Sequence, residues 1–244
     1  ESLYEIAERC FCKGIDVVNI AEDTFYPRPF DPEWTDKIDK LAKKNNATIV
    51  STGVQDIFWL NIPIVLTGAC HSIESVHFKG AVNLDVFGPV VVKQFPIGYT
   101  TEQFETSWRP NPNEGRMPTS GVAQEALIAA LGLTVENRGW HYTPVYSDVR
   151  IKSNSLDQFI EPGMVTGACE VYEVQTKEGI YFRSEFAEVI MEEGKTDYSN
   201  WHIKGEPDVD LSFDPFMGEE ITCTTTVNRI PDVINAPPGI GNCQ

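Results

Sequence analysis

The first third of the chain repeats a pattern of buried helix face followed by short apolar run. Leu3, Ile6, Ala7 and Cys10 stand at helical spacing, and Gly14 falls where that helix would end. Val17, Val18 and Ile20 then make a strand over Asp16–Ala21 of the kind buried in a parallel sheet. Trp34, Ile38, Leu41 and Ala42 share one face of a helix predicted over Pro32–Asn45, with lysines opposite. A second buried strand, Ala47–Ser51, leads into an apolar helix, Ile57–Thr67, in which Pro63 marks a kink or a short first turn. Helices alternating with two strands read as the back end of a parallel α/β sheet, whose earlier strands are expected in front of this sequence.

From about Ser72 the period becomes that of exposed strands. Ser75–Val82 alternates, and Phe87–Phe95 reads as a strand or strand pair around Gly88-Pro89. Thr101–Trp108 is predicted as a short helix, Arg109–Pro118 as a loop, and Gln124–Leu133 as a helix of small apolar residues. Strands follow over Val145–Ile151, Thr166–Thr176, Gly179–Ile190 and Asp208–Phe213, with Thr176-Lys177-Glu178-Gly179 as a hairpin turn. Glu219–Asn228 returns to helix. The tail beyond it is a loop by composition, but Ile230, Val233 and Ile234 favour its docking back onto the body.

Charge narrows the function classes. Over 244 residues the net charge is −17, with a pI near 4.6. Phosphate-rich partners need basic surface, so nucleic acid and anionic membrane are not expected as partners. No apolar segment approaches the roughly 20 residues that span a bilayer. Of the six cysteines, Cys10 and Cys12 have one residue between them, not the two of a redox or zinc knuckle, and Cys70, Cys169, Cys223 and Cys243 are scattered. Free thiols in a cytoplasmic protein are the reading preferred over disulfides. The histidines (His71, His77, His141, His202) have no ligand spacing, so no metal site is expected, and no GxGxxG turn occurs.

Candidate chemistry begins at Glu22 and Asp23, just past the first strand and ahead of Tyr26-Pro27-Arg28-Pro29, which stops any immediate helix. Open parallel sheets place ligands at the carboxyl ends of their strands. A solvated loop carboxylate suits the same position, and spacing does not choose between the two. Thr52-Gly53 marks the end of the second strand on the same edge. Among the apolar residues that follow, Phe58 is nearest that edge and is a candidate pocket wall; the rest read as core.

Four blocks carry a resemblance: Asn19-Ile-Ala-Glu-Asp-Thr-Phe-Tyr-Pro27, Ser51-Thr-Gly-Val54, Phe87-Gly-Pro89 and Thr226-Val-Asn-Arg-Ile-Pro-Asp-Val-Ile-Asn-Ala-Pro-Pro-Gly239. They resemble the matching blocks of the native amine dehydrogenases and the related 2,4-diaminopentanoate dehydrogenases, within the dihydrodipicolinate-reductase-like group. The resemblance implies an α/β plus α+β fold, the C-terminal part of a Rossmann-like sheet joined to a larger antiparallel domain. It divides the chain into a partial nucleotide-binding region (1–68), a substrate and dimerisation domain (69–216), and a helix and tail (217–244) returning to the first region. Family members carry roughly 80 to 90 further residues in front, about the size of a β-α-β-α unit.

The activity so implied is NAD(P)H-dependent reductive amination of a ketone or aldehyde with ammonia, reversible as oxidative deamination. NADP is slightly favoured over NAD. The family's catalytic glutamate falls on Glu22; a slip of one residue in the match would put Asp23 there. A carboxylate suits a step that develops positive charge, and a buried one can accept a proton from ammonium. Ile20, Ala21, Thr52 and Gly53 match strand ends beside the nicotinamide, and Asn235 and Ala236 match a tail that covers it. Phe58, Asn83 and Phe87 match the substrate pocket, although an ordinary turn residue is the plainer reading of Asn83.

Where the family has Asn-Pro-Gly-Phe after the strand, this chain has Gln55-Asp56-Ile57-Phe58, a departure in the local backbone and its cofactor contacts. The matched pocket segments hold Phe58, Trp59, Leu84, Val86 and Phe87, with no cation placed to clamp a carboxylate. That favours a small apolar carbonyl substrate. Arg109 and Arg116 keep a 2,4-diaminopentanoate dehydrogenase open as the alternative, and a non-catalytic dimerising remnant without cofactor is a third reading. A homodimer on the antiparallel half is expected, with Val, Tyr, Phe and Ile on a face that one chain leaves uncovered.

Overall fold

The computed structural model describes residues 2–109 and 118–241; Arg116 and Cys243 lie outside the described residues. A capping box opens the chain: Ser2 Oγ accepts from the Glu5 amide at 3.3 Å, and Glu5 Oε2 from the Ser2 amide at 2.8 Å. In order the elements are α1 (Leu3–Phe11), β1 (Val17–Asn19), α2 (Pro32–Lys44), β2 (Thr48–Ser51), α3 (Val54–Asp56), α4 (Ile62–Thr67) and β3 (Ser72–Asn83). Then come α5 (Pro89–Val92), α6 (Thr101–Gln103), α7 (Thr119–Ala130), β4 (Val135–Tyr146), β5 (Ile151–Ser153), β6 (Gln158–Ile160), β7 (Val165–Thr176) and β8 (Tyr181–Val189). β9 (Tyr198–Glu206), β10 (Val209–Phe213), α8 (Gly218–Asn228), α9 (Ile230–Asn235) and β11 (Gly239–Ile240) complete the described chain.

Two compact units result. One comprises 1–65, 121–132 and 218–244; the other comprises 66–120 and 133–217. The first is built on a parallel sheet in the order β1-β2-β11. Ala7, Phe11, Val17, Ile38, Ala42 and Ile49 pack together as its core, all at most 9% exposed. The tail does return, as α9 and a strand rather than as a loop: Gly239 and Ile240 pair with Thr48 and Ile49 of β2. A two-residue strand has no periodicity to read.

The second unit holds a six-stranded sheet in the order β10-β9-β3-β8-β7-β4. Its pairs are antiparallel except β3 with β8, which run parallel. Gly179, with φ of 89°, makes the β7–β8 turn. Three sequence expectations fail here. Phe87–Phe95 is not strand: Gly88 and Pro89 begin α5, because proline is preorganised for a first helical turn. Val145–Ile151 is not one strand but the end of β4 and the start of β5. The expected apolar open face is also wrong. Val76, Phe78, Tyr172, Val174, Phe182, Trp201 and Ile203 are all buried. The opposite face carries Lys79, Glu173, Arg183, Glu185, His202 and Lys204, all partly exposed.

Two buried details of this sheet bear on stability. Both oxygens of the buried Glu170 are engaged: Oε2 accepts from the Thr119 amide at 2.7 Å and Tyr142 Oη at 3.2 Å, and Oε1 from the Ser120 amide at 2.9 Å and Ser120 Oγ at 2.7 Å. A strand carboxylate thus satisfies the first amides of α7. Gly167 in β7 lies so close to β8 that a β-carbon would sit 2.1 Å from the Glu188 carbonyl oxygen. Gly167→Ala is expected to force the two strands apart and to cost at least the roughly 1–3 kcal/mol of an overpacked core. A thermal melt within a degree or two of the parent would contradict that.

Candidate functional site

The carboxyl ends of β1 and β2 are tied together. The Thr52 amide donates to the Asn19 carbonyl at 2.9 Å, and Asn19 Nδ2 donates across to the Val50 carbonyl at 3.2 Å. Asn19 Oδ1 accepts from the Ala21 amide at 3.0 Å and from Thr24 Oγ1 at 2.8 Å, while Ser51 Oγ donates to the Ala21 carbonyl at 2.7 Å. Polar side chains therefore hold a 3-10 turn, Glu22–Thr24, directly on the strand end. Glu22 and Asp23 stand on it with exposed side chains, and Ile20 before them is 53% exposed, unusual for an isoleucine at a strand end.

At β2 the chain turns through Gly53, whose φ of 120° and ψ of −156° suit glycine alone. A β-carbon there would meet Gln55 Oε1 at 2.8 Å and Thr222 Cγ2 at 3.3 Å. Thr52 is fully buried, and its hydroxyl donates to Asp56 Oδ2 at 2.7 Å; its side chain faces inward, so only its backbone is offered at the edge. Gln55 Nε2 donates to the Thr52 carbonyl at 2.6 Å. Asp56, 0% exposed, takes a two-pronged pair from Arg229, Nε to Oδ2 at 2.6 Å and NH2 to Oδ1 at 2.7 Å. Asn61 Nδ2 adds a bond to Oδ1 at 2.9 Å. Asp56, one of the residues that depart from the family pattern, is thus what fastens this turn to the C-terminal helices. Sequence reasoning missed the pair.

The other predicted residues spread over both units. Phe58 is half-buried in a π-turn, Ile57–Asn61, of the first unit. Asn235 is exposed at the end of α9, donating from Nδ2 to the Pro231 carbonyl at 2.7 Å, and Ala236 follows it half-buried. Asn83 and Phe87 belong to the second unit. Asn83 Oδ1 accepts from the Asp85 amide at 3.2 Å and the Met191 amide at 3.3 Å, which is the work of a turn residue. Phe87 is 44% exposed.

The first unit has a cavity of about 300 Å³ beside Tyr26, Arg28, Asp39 and Lys43, and the second one of about 410 Å³ beside Tyr146, Glu192, Lys195 and Tyr198. Neither takes in Glu22, Phe58, Asn83 or Phe87. Burial pushes the Cys169 thiol up to about 11, which keeps it protonated near neutral pH. The five described cysteines are free thiols, and among the described residues no three His, Cys, Asp or Glu side chains are grouped to hold a metal. No helix there is long and apolar enough to cross a membrane.

Comparison with known proteins adds the family. The family described as 2,4-diaminopentanoate dehydrogenase C-terminal domain matches residues 58–244. A 2,4-diaminopentanoate dehydrogenase from Acetoanaerobium sticklandii is 27% identical over 241 residues, covering 93% of this chain; the chain spans 65% of that relative's length. The solved structure of an amine dehydrogenase from Mycobacterium smegmatis is 35% identical, with a TM-score of 0.89 over 98% of this chain and 70% of the other. A myo-inositol 2-dehydrogenase from Lactobacillus plantarum shares the fold, with 15% identity and a TM-score of 0.54 over 95% of this chain and 66% of its own.

Proposed function

Because the chain belongs to the 2,4-diaminopentanoate dehydrogenase C-terminal domain family, we propose that it acts as an NAD(P)H-dependent amine dehydrogenase, with NADP ahead of NAD. The observation that carries this is Glu22, held on a turn at the carboxyl end of β1 and flanked by exposed Ile20 and glycine-bearing Thr52-Gly53. A parallel sheet binds its ligand at that edge. An exposed apolar side chain beside a residue with no side chain fits a flat nicotinamide ring, which supplies the hydride when bound.

The work left to this chain is electrostatic. A ketone or aldehyde and ammonium give an iminium and water; hydride addition then gives the amine, which takes up a proton. The Glu22 carboxylate, exposed on its turn rather than buried as expected, is assigned the proton that ammonium must lose once substrate and nicotinamide cover it, and it stabilises the cationic carbon–nitrogen bond that follows. Asp23 remains the rival for this role. We assign the ring to Ile20, Ala21 and the backbone of Thr52 and Gly53, its cover to Asn235 and Ala236, and a wall of the substrate pocket to Phe58.

Arg109 is engaged by Glu105 at 2.7 Å, which supports a small apolar carbonyl over an amino acid. The family and the Acetoanaerobium relative favour the second reading, 2,4-diaminopentanoate as substrate. Initial rates of reductive amination of cyclohexanone or a short aldehyde with ammonia and NADPH or NADH, against oxidative deamination of 2,4-diaminopentanoate with NADP+ or NAD+, separate the two. No turnover and no cofactor binding would leave the non-catalytic remnant. The free thiols fit a reducing, cytoplasmic setting.

A homodimer belongs to the same proposal, built on the charged face of the six-stranded sheet. Six strands of this length present roughly 700 Å², close to the ~800 Å² per partner of a standard interface. Because that face carries Lys79, Arg183, Glu173 and Glu185 rather than apolar side chains, association should weaken in 1 M salt. Light scattering should give a dimer at micromolar concentration in low salt; a monomer there would overturn it.

A further inference from the structure

The pair formed by Asp56 and Arg229 holds more than a helix end. Arg229 is the residue at which α8 gives way to α9, and its NH1 also reaches Asp232 Oδ2 at 3.0 Å. Thr222 of α8 accepts a second tie, from the Val54 amide at 3.2 Å. Beyond α9, residues 236–238 cross to β11, where the Gly239 amide donates to the Ala47 carbonyl at 3.0 Å and the Gly241 amide to the Ile49 carbonyl at 2.9 Å. The tail is therefore strung between two anchors, one at each end of β2.

We propose that Asp56 and Arg229 form a latch that sets the position of Asn235 and Ala236, and that both are positioning residues for the nicotinamide. The inference rests on the dehydrogenase reading above. A buried ion pair is a poor source of net stability compared with apolar packing, because desolvation offsets the attraction. What a planar guanidinium on a carboxylate supplies is orientation, through two parallel bonds. Thr52 and Asn61 complete the shell on Asp56, so the carboxylate cannot rotate away. The consequence falls on α9, which packs against both β1 and β2, and so on the tail that follows it.

The test uses Asp56→Asn and Arg229→Lys in the full chain. Asparagine keeps the size of Asp56 but cannot accept on both prongs; lysine keeps the charge but loses the fork. The KM for NADPH or NADH is expected to rise about tenfold in each, with kcat within about threefold, since misplacing a binding element by about 1 Å has effects of this order or larger. The amides of Gly239, Ile240 and Gly241 should exchange with solvent at least about tenfold faster, while those of β7 and β8 keep their protection. A lower melting temperature with an unchanged KM would overturn the proposal and leave the pair a structural tie. Should Asp56→Asn fail to fold, Arg229→Lys decides alone. If the parent protein binds neither cofactor, the dehydrogenase reading fails; unchanged exchange at 239–241 would then separately remove the latch.

Discussion

Glu22→Gln should cut reductive amination by about two to four orders of magnitude, the usual worth of a general acid–base group. Glutamine preserves the length and hydrogen-bonding capacity of the side chain and removes only the charge and the titratable proton. The substitution tests the carboxylate itself, because the turn beneath it is held by Asn19, Thr24 and Ser51. Melting temperature and nicotinamide affinity should barely change, since Glu22 is exposed on its turn. Asp23→Asn is the control and should keep most of the activity. The opposite outcome, with Asp23→Asn inactive and Glu22→Gln active, would move the role one residue along. Full activity in both would remove the amine dehydrogenase reading.

The largest effect on stability is expected at Glu170. Glu170→Ala removes the acceptor of two amides, that of Ser120 buried and that of Thr119 partly so, and of the Ser120 and Tyr142 hydroxyls. At about 1–3 kcal/mol for each unmet group, plus the space left behind, a loss of about 3–5 kcal/mol is expected. For a chain of this size that lowers the melting temperature by about 10 °C. A second measurement isolates the proton. Burial pushes the Glu170 carboxyl above the ordinary glutamate range, against the pull of its hydrogen bonds from Ser120, Thr119 and Tyr142. The folded chain then binds that proton more tightly than the unfolded chain does, so its contribution is complete below the ordinary glutamate value and declines as pH rises towards the folded value. Relative to Glu170→Gln, which cannot ionise, the parent should lose stability in denaturant titrations carried upward from about pH 4.5. A difference that is flat, or that grows with pH, would contradict this.

The elements legible in the sequence were those whose burial is one-sided and local. β2, α2 and the β7–β8 hairpin declare themselves through contiguous apolar runs, a single stripe, or alternation around a glycine turn. β4 does not, because Val135-Glu-Asn-Arg-Gly-Trp-His-Tyr-Thr-Pro-Val-Tyr146 looks like loop. It sits at the sheet's edge, where Pro144 and Gly139 are tolerated. β9 escapes for a related reason: Trp201 and Ile203 are the large apolar residues it turns to the core, beside Ser199, among polar neighbours on the charged face. The position of Glu22 just past β1 was legible because a strand end is a local event. Asp56 and Arg229 were not, being 173 positions apart, and Gln55-Asp56 read only as a departure until the partner was seen. Asn83, for which an ordinary turn residue is the plainer reading, has a side chain that braces the backbone.

The place of β11 has a bearing on how the protein is made. β2 pairs on one side with β1, close to it in sequence, and on the other with a strand that the ribosome delivers only after the whole six-stranded sheet has been translated. During that interval Thr48 and Ile49 offer an unpaired strand edge, the template on which another nascent chain can add itself. The sheet of the second unit has its partners available earlier and can condense first. Closure of the small sheet is then a late, long-range event of the kind that slows folding, and a holdase that shields residues 47–51 until release should raise the yield of native protein.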